Sequence, residues 1–461
     1  MEETAGDQST GSGRRFDIKF QTKQQQYAIP DTVFHVPGGC LPAELNQLVN
    51  ATLSESDPDA AEVDFDFLVE GNLLRLPLEE QLEEISAVRP DFVYGERELL
   101  VEYFTKQQAP EPHKSLVHDD WVSSVHADDT YVISACYDGT AQIWKLDGTH
   151  VLTVPAHAGS PIKSVSWISA KAISNAGIDG FDSNDRYFVT ASQDETLRTW
   201  KWSGYKKESV QCLSVCKGHC RSVNCVDVNV DLIASGSLDC HLKIWALSPP
   251  ETRTGKDENR SQAGPKKQKN MEGDAVSVRS GPSVKTPLVT LSGHTESITC
   301  VKWISDKSSA AAAPEVATGS MDNTIRIWDI EVNEVKQTIV GSKAFLSISY
   351  SHPMNALLSA STDRHIRLWD TRSKDQRQVV AAFTSHRGWV STVDWSPANT
   401  NFFVSASYDN TVKYWDVRSP NAPLFDLMGH KEKVLCVDWS NTQYIVSGSA
   451  DNMVKIFKNG A

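Results

Sequence analysis

The 461-residue sequence predicts a mainly β protein: seven strand-bearing repeats preceded by a small α+β domain. Two observations predict it. An Asp is followed six residues later by an aromatic residue seven times, at Asp138/Trp144, Asp194/Trp200, Asp239/Trp245, Asp322/Trp328, Asp363/Trp369, Asp409/Trp415 and Asp451/Phe457, and such a repeat signals an array of equivalent units. The net charge of −14 is concentrated upstream, where residues 1–110 carry 8 Lys/Arg against 21 Asp/Glu, so an acidic module is joined to a nearly neutral body.

The elements follow in chain order. Residues 1–14 are polar and read as a flexible start, without the apolar stretch of a secretory signal, and no apolar run approaches the roughly 20 residues that span a bilayer. Phe16, Ile18 and Phe20 alternate with polar residues as a strand; Thr32 to Val36 predicts a second, and Pro37-Gly38-Gly39 a break. Leu41, Leu45, Leu48, Val49 and Leu53 share one helical face, with Pro42 suited to the first turn. Phe65 to Val69, a turn at Glu70-Gly71-Asn72 and Leu73 to Leu76 predict a hairpin, followed by a short helix Leu78 to Ile85 and a last strand Leu99 to Phe104. Over residues 15–106 this is the order of a ubiquitin-like fold. The acidic surface points away from DNA and toward a basic or metal-bearing partner.

In the ring, 107–461, each Asp starts a turn and the residues after it alternate as a half-buried strand, as in Asn323 to Trp328. Four residues before each Asp stands a hydroxyl: Ser134, Thr190, Ser235, Thr318, Ser359, Ser405 and Ser447. Upstream of six of the seven comes a His, namely His118, His157, His219, His294, His386 and His430; the fifth unit has Gly341-Ser342 instead. These residues, with Trp328-Asp329, Trp369-Asp370 and Trp415-Asp416, resemble WD40 repeats. The resemblance implies a seven-bladed β-propeller in which His, Ser/Thr, Asp and Trp of one blade form a hydrogen-bonded relay, incomplete in repeat five.

A Ser/His/Asp nucleophilic triad is needed once, and six equivalent copies argue for structure instead of catalysis; no cofactor, small-molecule substrate or catalytic residue is expected. Cys212, Cys216, Cys220 and Cys225 surround His219 without a CxxC pair, so a zinc site is not expected either. Nine scattered cysteines suit a reducing compartment better than a disulfide scaffold. After Phe457 only four residues remain, too few for an outer strand, so His113 to Val117 should pair onto the last blade and latch the ring. Ser248 to Lys285, rich in Ser, Pro, Gly and charge, reads as a disordered insertion; its Lys266-Lys267-Gln268-Lys269 is either a solvated tract or an import or RNA-tethering signal.

The two halves together resemble one family. Phe65-Asp66-Phe67-Leu68-Val69-Glu70-Gly71, Leu100-Val101-Glu102-Tyr103 and His118-Asp119-Asp120-Trp121-Val122 are similar to the ribosome-biogenesis WD-repeat proteins that work with Pescadillo and the Block-of-proliferation protein. The resemblance implies a non-enzymatic, nucleolar and nucleoplasmic assembly factor of the pre-60S particle, needed for rRNA processing. It also implies that the propeller docks on the Block-of-proliferation protein and the ubiquitin-like domain engages the AAA ATPase midasin. Two rivals stand beside it: a Notchless-like pre-60S factor, and a cullin-RING substrate receptor, whose WDxR box Trp369-Asp370-Thr371-Arg372 and Trp415-Asp416-Val417-Arg418 match.

Candidate contacts follow. The residue before each relay Asp varies while its surroundings repeat, which makes Tyr137, Met321 and Tyr408 candidate partner anchors, burial against the next blade being the alternative. Arg364, Arg367, Arg372, Lys374, Arg377 and Arg387 read first as a solvated face and second as a contact to rRNA or an acidic partner, since no aromatic residues interleave. By its distance from Leu100-Val101-Glu102-Tyr103, Glu96 matches the family position that contacts a Mg²⁺ held by midasin; Glu98 and Glu70 are the fallbacks.

Overall fold

A computed structural model of the chain describes residues 14–56, 61–88, 98–169, 185–203, 209–229, 231–247, 281–304, 314–372 and 379–460. The first domain comprises β1 (Arg15–Gln21), β2 (Val33–Pro37), α1 (Pro42–Ser56), β3 (Phe65–Val69), β4 (Asn72–Leu73), α2 (Leu78–Val88) and β5 (Leu99–Thr105). Its sheet runs β2-β1-β5-β3-β4, with β1 and β5 parallel and the other pairs antiparallel. Alternation turns Phe16, Ile18 and Phe20 inward onto Leu45, Val49, Leu78 and Leu82 of the helices. The second hairpin arm is shorter than the predicted Leu73 to Leu76. Leu73 and Leu74 face opposite ways, Leu74 into this core and Leu73 into a cluster shared with the second domain, and the chain then leaves the sheet for α2.

The remainder forms seven sheets, each with four antiparallel strands, arranged as blades: residues 122–154, 162–217, 223–292, 298–340, 345–383, 390–427 and 434–458, the last closed by β6 (Glu111–Val117). β6 pairs antiparallel with Met453–Lys458, Val117 opposite Met453 and Glu111 opposite Lys458, so the latch runs two residues further upstream than the sequence predicts. Second strands such as Phe402–Ser407 are buried along their whole length, as expected of a strand covered on both faces by neighbouring blades.

The reading of 248–285 as one disordered loop is corrected at its far end. Ser283–Lys285 form a strand that pairs in parallel with Val210–Lys217, a fifth strand on blade two. Lys285 is buried and donates from Nζ to the carbonyls of Ala246 (3.0 Å) and Leu247 (2.7 Å), which ties the returning end of the insertion to the point of its departure. An outer strand with an open edge supplies backbone partners to even a three-residue stretch, and composition alone does not reveal that. Residues 248–280, including Lys266-Lys267-Gln268-Lys269, lie outside the described residues, as do residues 1–13.

Candidate functional site

In blades two, three, four, six and seven the relay has one geometry. His157, His219, His294, His386 and His430 place Nδ1 at 2.7–3.0 Å from Asp194, Asp239, Asp322, Asp409 and Asp451. Their Nε2 atoms lie 2.7–2.9 Å from the hydroxyls of Thr190, Ser235, Thr318, Ser405 and Ser447. Trp200, Trp245, Trp328 and Trp415 donate Nε1–H to those hydroxyls at 2.8–3.0 Å; blade seven has Phe457 and no such donor. The carboxylate fixes the proton order, because an ionised Asp only accepts and so the proton of a neutral imidazole sits on Nδ1, leaving Nε2 to accept. The imidazole donates Nδ1–H to the Asp and accepts at Nε2 from the hydroxyl, which in turn accepts the indole N–H.

The electrostatics agree with that order. Burial lowers the pKa of His219, His294, His386 and His430, each against the pull of its Asp. Burial by itself would raise the Asp194 carboxyl, but hydrogen bonds from His157 and Thr196 outweigh it and hold it at about 2. Each relay Asp also accepts from the backbone N–H two residues on, and the residue between stands in the left-handed region seven times: Gly139, Glu195, Cys240, Asn323, Arg364, Asn410 and Asn452. The Asp thus closes a turn and anchors a histidine at once.

Two blades depart. In blade five Ser342 Oγ takes the place of the histidine, donating to Asp363 at 2.8 Å, with Arg367 Nη2 at 2.6 Å. In blade one the expected relay of His118, Ser134, Asp138 and Trp144 is corrected. His118 Nε2 reaches Ser134 at 2.7 Å, but its Nδ1 faces the carbonyl of Leu116 at 3.4 Å in place of Asp138, and Trp144 Nε1 is buried without a partner. Trp144 packs edge-on against His150, with ring centroids 4.6 Å apart.

A pH prediction follows. Burial drives His118 down to about 4 and lowers the four histidines above. A folded-state pKa below the unfolded value of about 6.5 means that the unfolded chain takes up protons first, so stability is complete above about pH 6.5 and falls as pH drops toward 4. The carboxylates of Asp194 and Asp363, held at about 2, add a second loss as pH falls below about 4. Thermal unfolding followed from pH 7 to 3 should show both stages; a melting temperature flat between pH 7 and 4.5 would contradict the neutral-histidine relay.

Sequence reasoning missed the stitches between blades. At the end of the first strand, Trp303 N–H donates to Asp227 (2.8 Å), Trp439 N–H to Asp394 (2.9 Å), Ala127 N–H to Asp438 (2.9 Å) and Trp167 N–H to His126 Nδ1 (3.0 Å). A recurrent Val-x-Trp, at 165–167, 301–303, 393–395 and 437–439, was the available signal.

The variable slot lies on the rim that carries the relay turns. In every blade its backbone N–H bonds the loop entering the first strand, so Tyr137 pairs with Trp121, Met321 with Ser297 and Tyr408 with Trp389. Trp121 and Trp389 are 48% and 49% exposed, and Met321 is 41% exposed. The rings pair as well: Trp121 and Tyr137 edge-on at 5.6 Å, Trp389 and Tyr408 nearly parallel at 5.8 Å. Lys163 Nζ sits 4.1 Å from the Tyr137 ring centroid and Lys433 Nζ 5.4 Å from that of Tyr408. Burial raises the Tyr408 phenol, with Tyr137 the next contributor. Two aromatic walls on blades one and six thus flank blade seven, whose slot holds the small Ala450. Met321 stands apart on blade four, and Leu238, the slot residue of blade three, is exposed as well.

The acidic candidates are spread. Glu96 lies outside the described residues. Glu98 is half-exposed and ion-paired to Lys19 at 3.1 Å. Glu70 is exposed, with φ +50°, in a turn whose Gly71 abuts the Arg418 carbonyl. Of the basic group, Arg367 is spent on Asp363 and Arg372 on Asp370, and Lys374 and Arg377 are outside the described residues. Both WDxR arginines fold back on their own Asp, Arg372 at 3.1 Å and Arg418 at 2.6 Å. Among the described residues no group of three or more His, Cys, Asp or Glu is placed to hold a metal ion.

Comparison with known proteins places this geometry. Residues 16–82 match the NLE (NUC135) domain, and seven segments between 110 and 458 match the WD domain, G-beta repeat. The WD40 β-propeller domain of Doa1 superposes with a TM-score of 0.56 over 76% of this chain and 97% of that one, at 21% identity, a likeness of fold. The ribosome biogenesis protein WDR12 homolog of Ixodes scapularis is 44% identical over 97% of this chain and 100% of its own length; that of Aedes aegypti is 38% identical over 96% of each. With an NLE domain, seven WD repeats and full-length relatives of this kind, the chain belongs to the WDR12 family of ribosome biogenesis proteins.

Proposed function

We propose that the protein is a non-enzymatic scaffold of the pre-60S particle in the nucleolus and nucleoplasm, acting in rRNA processing through two surfaces. The propeller rim over blade seven binds the Block-of-proliferation protein and through it Pescadillo. The ubiquitin-like domain offers Glu96 to the Mg²⁺ of the midasin adhesion site, a hard carboxylate oxygen for a hard cation. The observation that carries the reading is the aromatic quartet Trp121, Tyr137, Trp389 and Tyr408. Two half-exposed tryptophans, each paired with the tyrosine of its slot, put large aromatic rings at the surface, the residue type enriched in interface cores.

The test has two arms. Trp389→Ala with Tyr408→Ala should lower recovery of the Block-of-proliferation protein on copurification by at least about tenfold, with the melting temperature kept. Glu96→Ala should keep that partner yet lose Mg²⁺-dependent binding to the midasin adhesion domain. Wild-type recovery in the first arm overturns the rim assignment, and wild-type Mg²⁺-dependent affinity in the second overturns that of Glu96.

A further inference from the structure

The first domain rests on the propeller through a seat of mixed chemistry. Leu68, Leu73 and Phe104 are buried in one cluster with Phe402, Tyr414 and Leu424 of blade six and Trp439 and Phe457 of blade seven. Arg418 stacks on Phe104, its Cζ 3.7 Å from the ring centroid, while its guanidinium grips Asp416 and approaches Glu102 at 3.9 Å. Three backbone and amide contacts fix the orientation: Leu73 N–H to Ser419 Oγ (3.3 Å), Arg75 Nη2 to the Pro423 carbonyl (2.5 Å) and Asn421 Nδ2 to Asn72 Oδ1 (2.5 Å). Asp66, raised by burial, lies in the field of Lys106 and Arg75 from its own domain and Arg418 from blade six. Arg418 is only 18% exposed, so the second WDxR arginine is already used inside the chain.

Topology gives the seat a second meaning. β5 runs into β6 across residues 106–110 alone, and β6 is the strand that closes the ring on Met453–Lys458. Gln107 Nε2 also donates to the Gly460 carbonyl at 2.9 Å, holding the linker to the end of the last strand. The domain therefore hangs directly on the latch, and whatever displaces it pulls on β6 unless the seat bears the load. Because Phe457, an inner residue of blade seven, belongs to the seat cluster, the domain also supports the blade from its flank.

We propose that the ubiquitin-like domain is a second clasp of the ring: seated, it holds blades six and seven together, and drawn off its seat it loosens the closure at β6. Blade seven lies between the aromatic walls of blades one and six, so loosening it disturbs the rim as well. This last consequence rests on the rim reading above; the coupling of seat and latch does not. A ligand that lifts the domain then weakens the ligand at the rim, and by linkage a ligand seated on the rim resists the lifting.

Hydrogen exchange followed by mass spectrometry on the full-length chain tests the coupling, since local opening of a strand appears as faster exchange of its amides. Arg418→Glu with Leu73→Asp removes the stack and places a charge in the cluster; Arg75→Ala with Asn421→Ala is the milder pair should the first not fold. Exchange should rise by about tenfold or more in 111–117 and 453–458, together with 418–424, and stay unchanged in blades two to four. Faster exchange in 418–424 with β6 unchanged overturns the proposal, as does faster exchange spread evenly over all blades. Binding of the Block-of-proliferation protein to the same variants is a separate arm. If wild-type protein does not bind it through the rim, the rim reading fails while the exchange result still decides the clasp.

Discussion

A chain beginning at Asp119 aggregates or loses cooperative unfolding, whereas one beginning at Gln108 stays soluble and folded. The first lacks β6, and with it six paired positions along Met453–Lys458 and the buried Leu116, which packs with Val122, Val454 and Ile456 across the seam between blades seven and one. An apolar strand edge left open is a template for pairing with a second chain, and a ring without its latch keeps only the inner-strand packing and the Ala127-to-Asp438 stitch at that seam. The second chain keeps the latch but exposes Leu424, Phe402 and their neighbours, which the N-terminal domain covers, so its melting temperature should lie below that of the full-length protein. Sedimentation and thermal unfolding of the two chains decide the matter. Equal, monomeric behaviour would place the closure elsewhere than β6.

Asp239→Ala destabilises by about 1–3 kcal/mol, and Asp138→Ala by less than about 1. Both carboxylates cap the backbone N–H two residues on, at 3.0 Å in the first case and 2.7 Å in the second, so that loss is common to the pair. Only Asp239 also accepts Nδ1–H of a buried histidine and the N–H of Cys220. Removing it strands a donor on His219, whose side chain is buried and whose Nε2 and Ser235 stay locked to Trp245. His118 has turned to the Leu116 carbonyl and makes no such demand on Asp138. Chemical denaturation of both variants measures the difference. Equal losses would show that the histidine leg contributes nothing and that the turn alone matters.

Repetition made much of this protein legible in one dimension. Asp at a fixed distance from Trp, a hydroxyl four residues before, and a histidine upstream recur because each blade solves the same problem: satisfying buried polar groups where a loop crosses the end of a sheet. Alternation along a strand showed which residues face inward, and the segment just ahead of His118, where the other repeats carry their outer strand, showed where the ring closes. The failures are equally specific. In blade one a motif that reads as complete turns His118 to the Leu116 carbonyl and leaves Trp144 against the His150 ring. Ser283–Lys285 become a strand only because blade two offers a free edge at that point in space. The aromatic quartet joins residues more than 250 positions apart, and the seat joins Phe104 to Arg418. Periodicity is a property of neighbours along the chain, so it specifies elements and their inward faces; which distant surfaces meet is settled by closure of the ring and by the cluster that holds the first domain against blades six and seven.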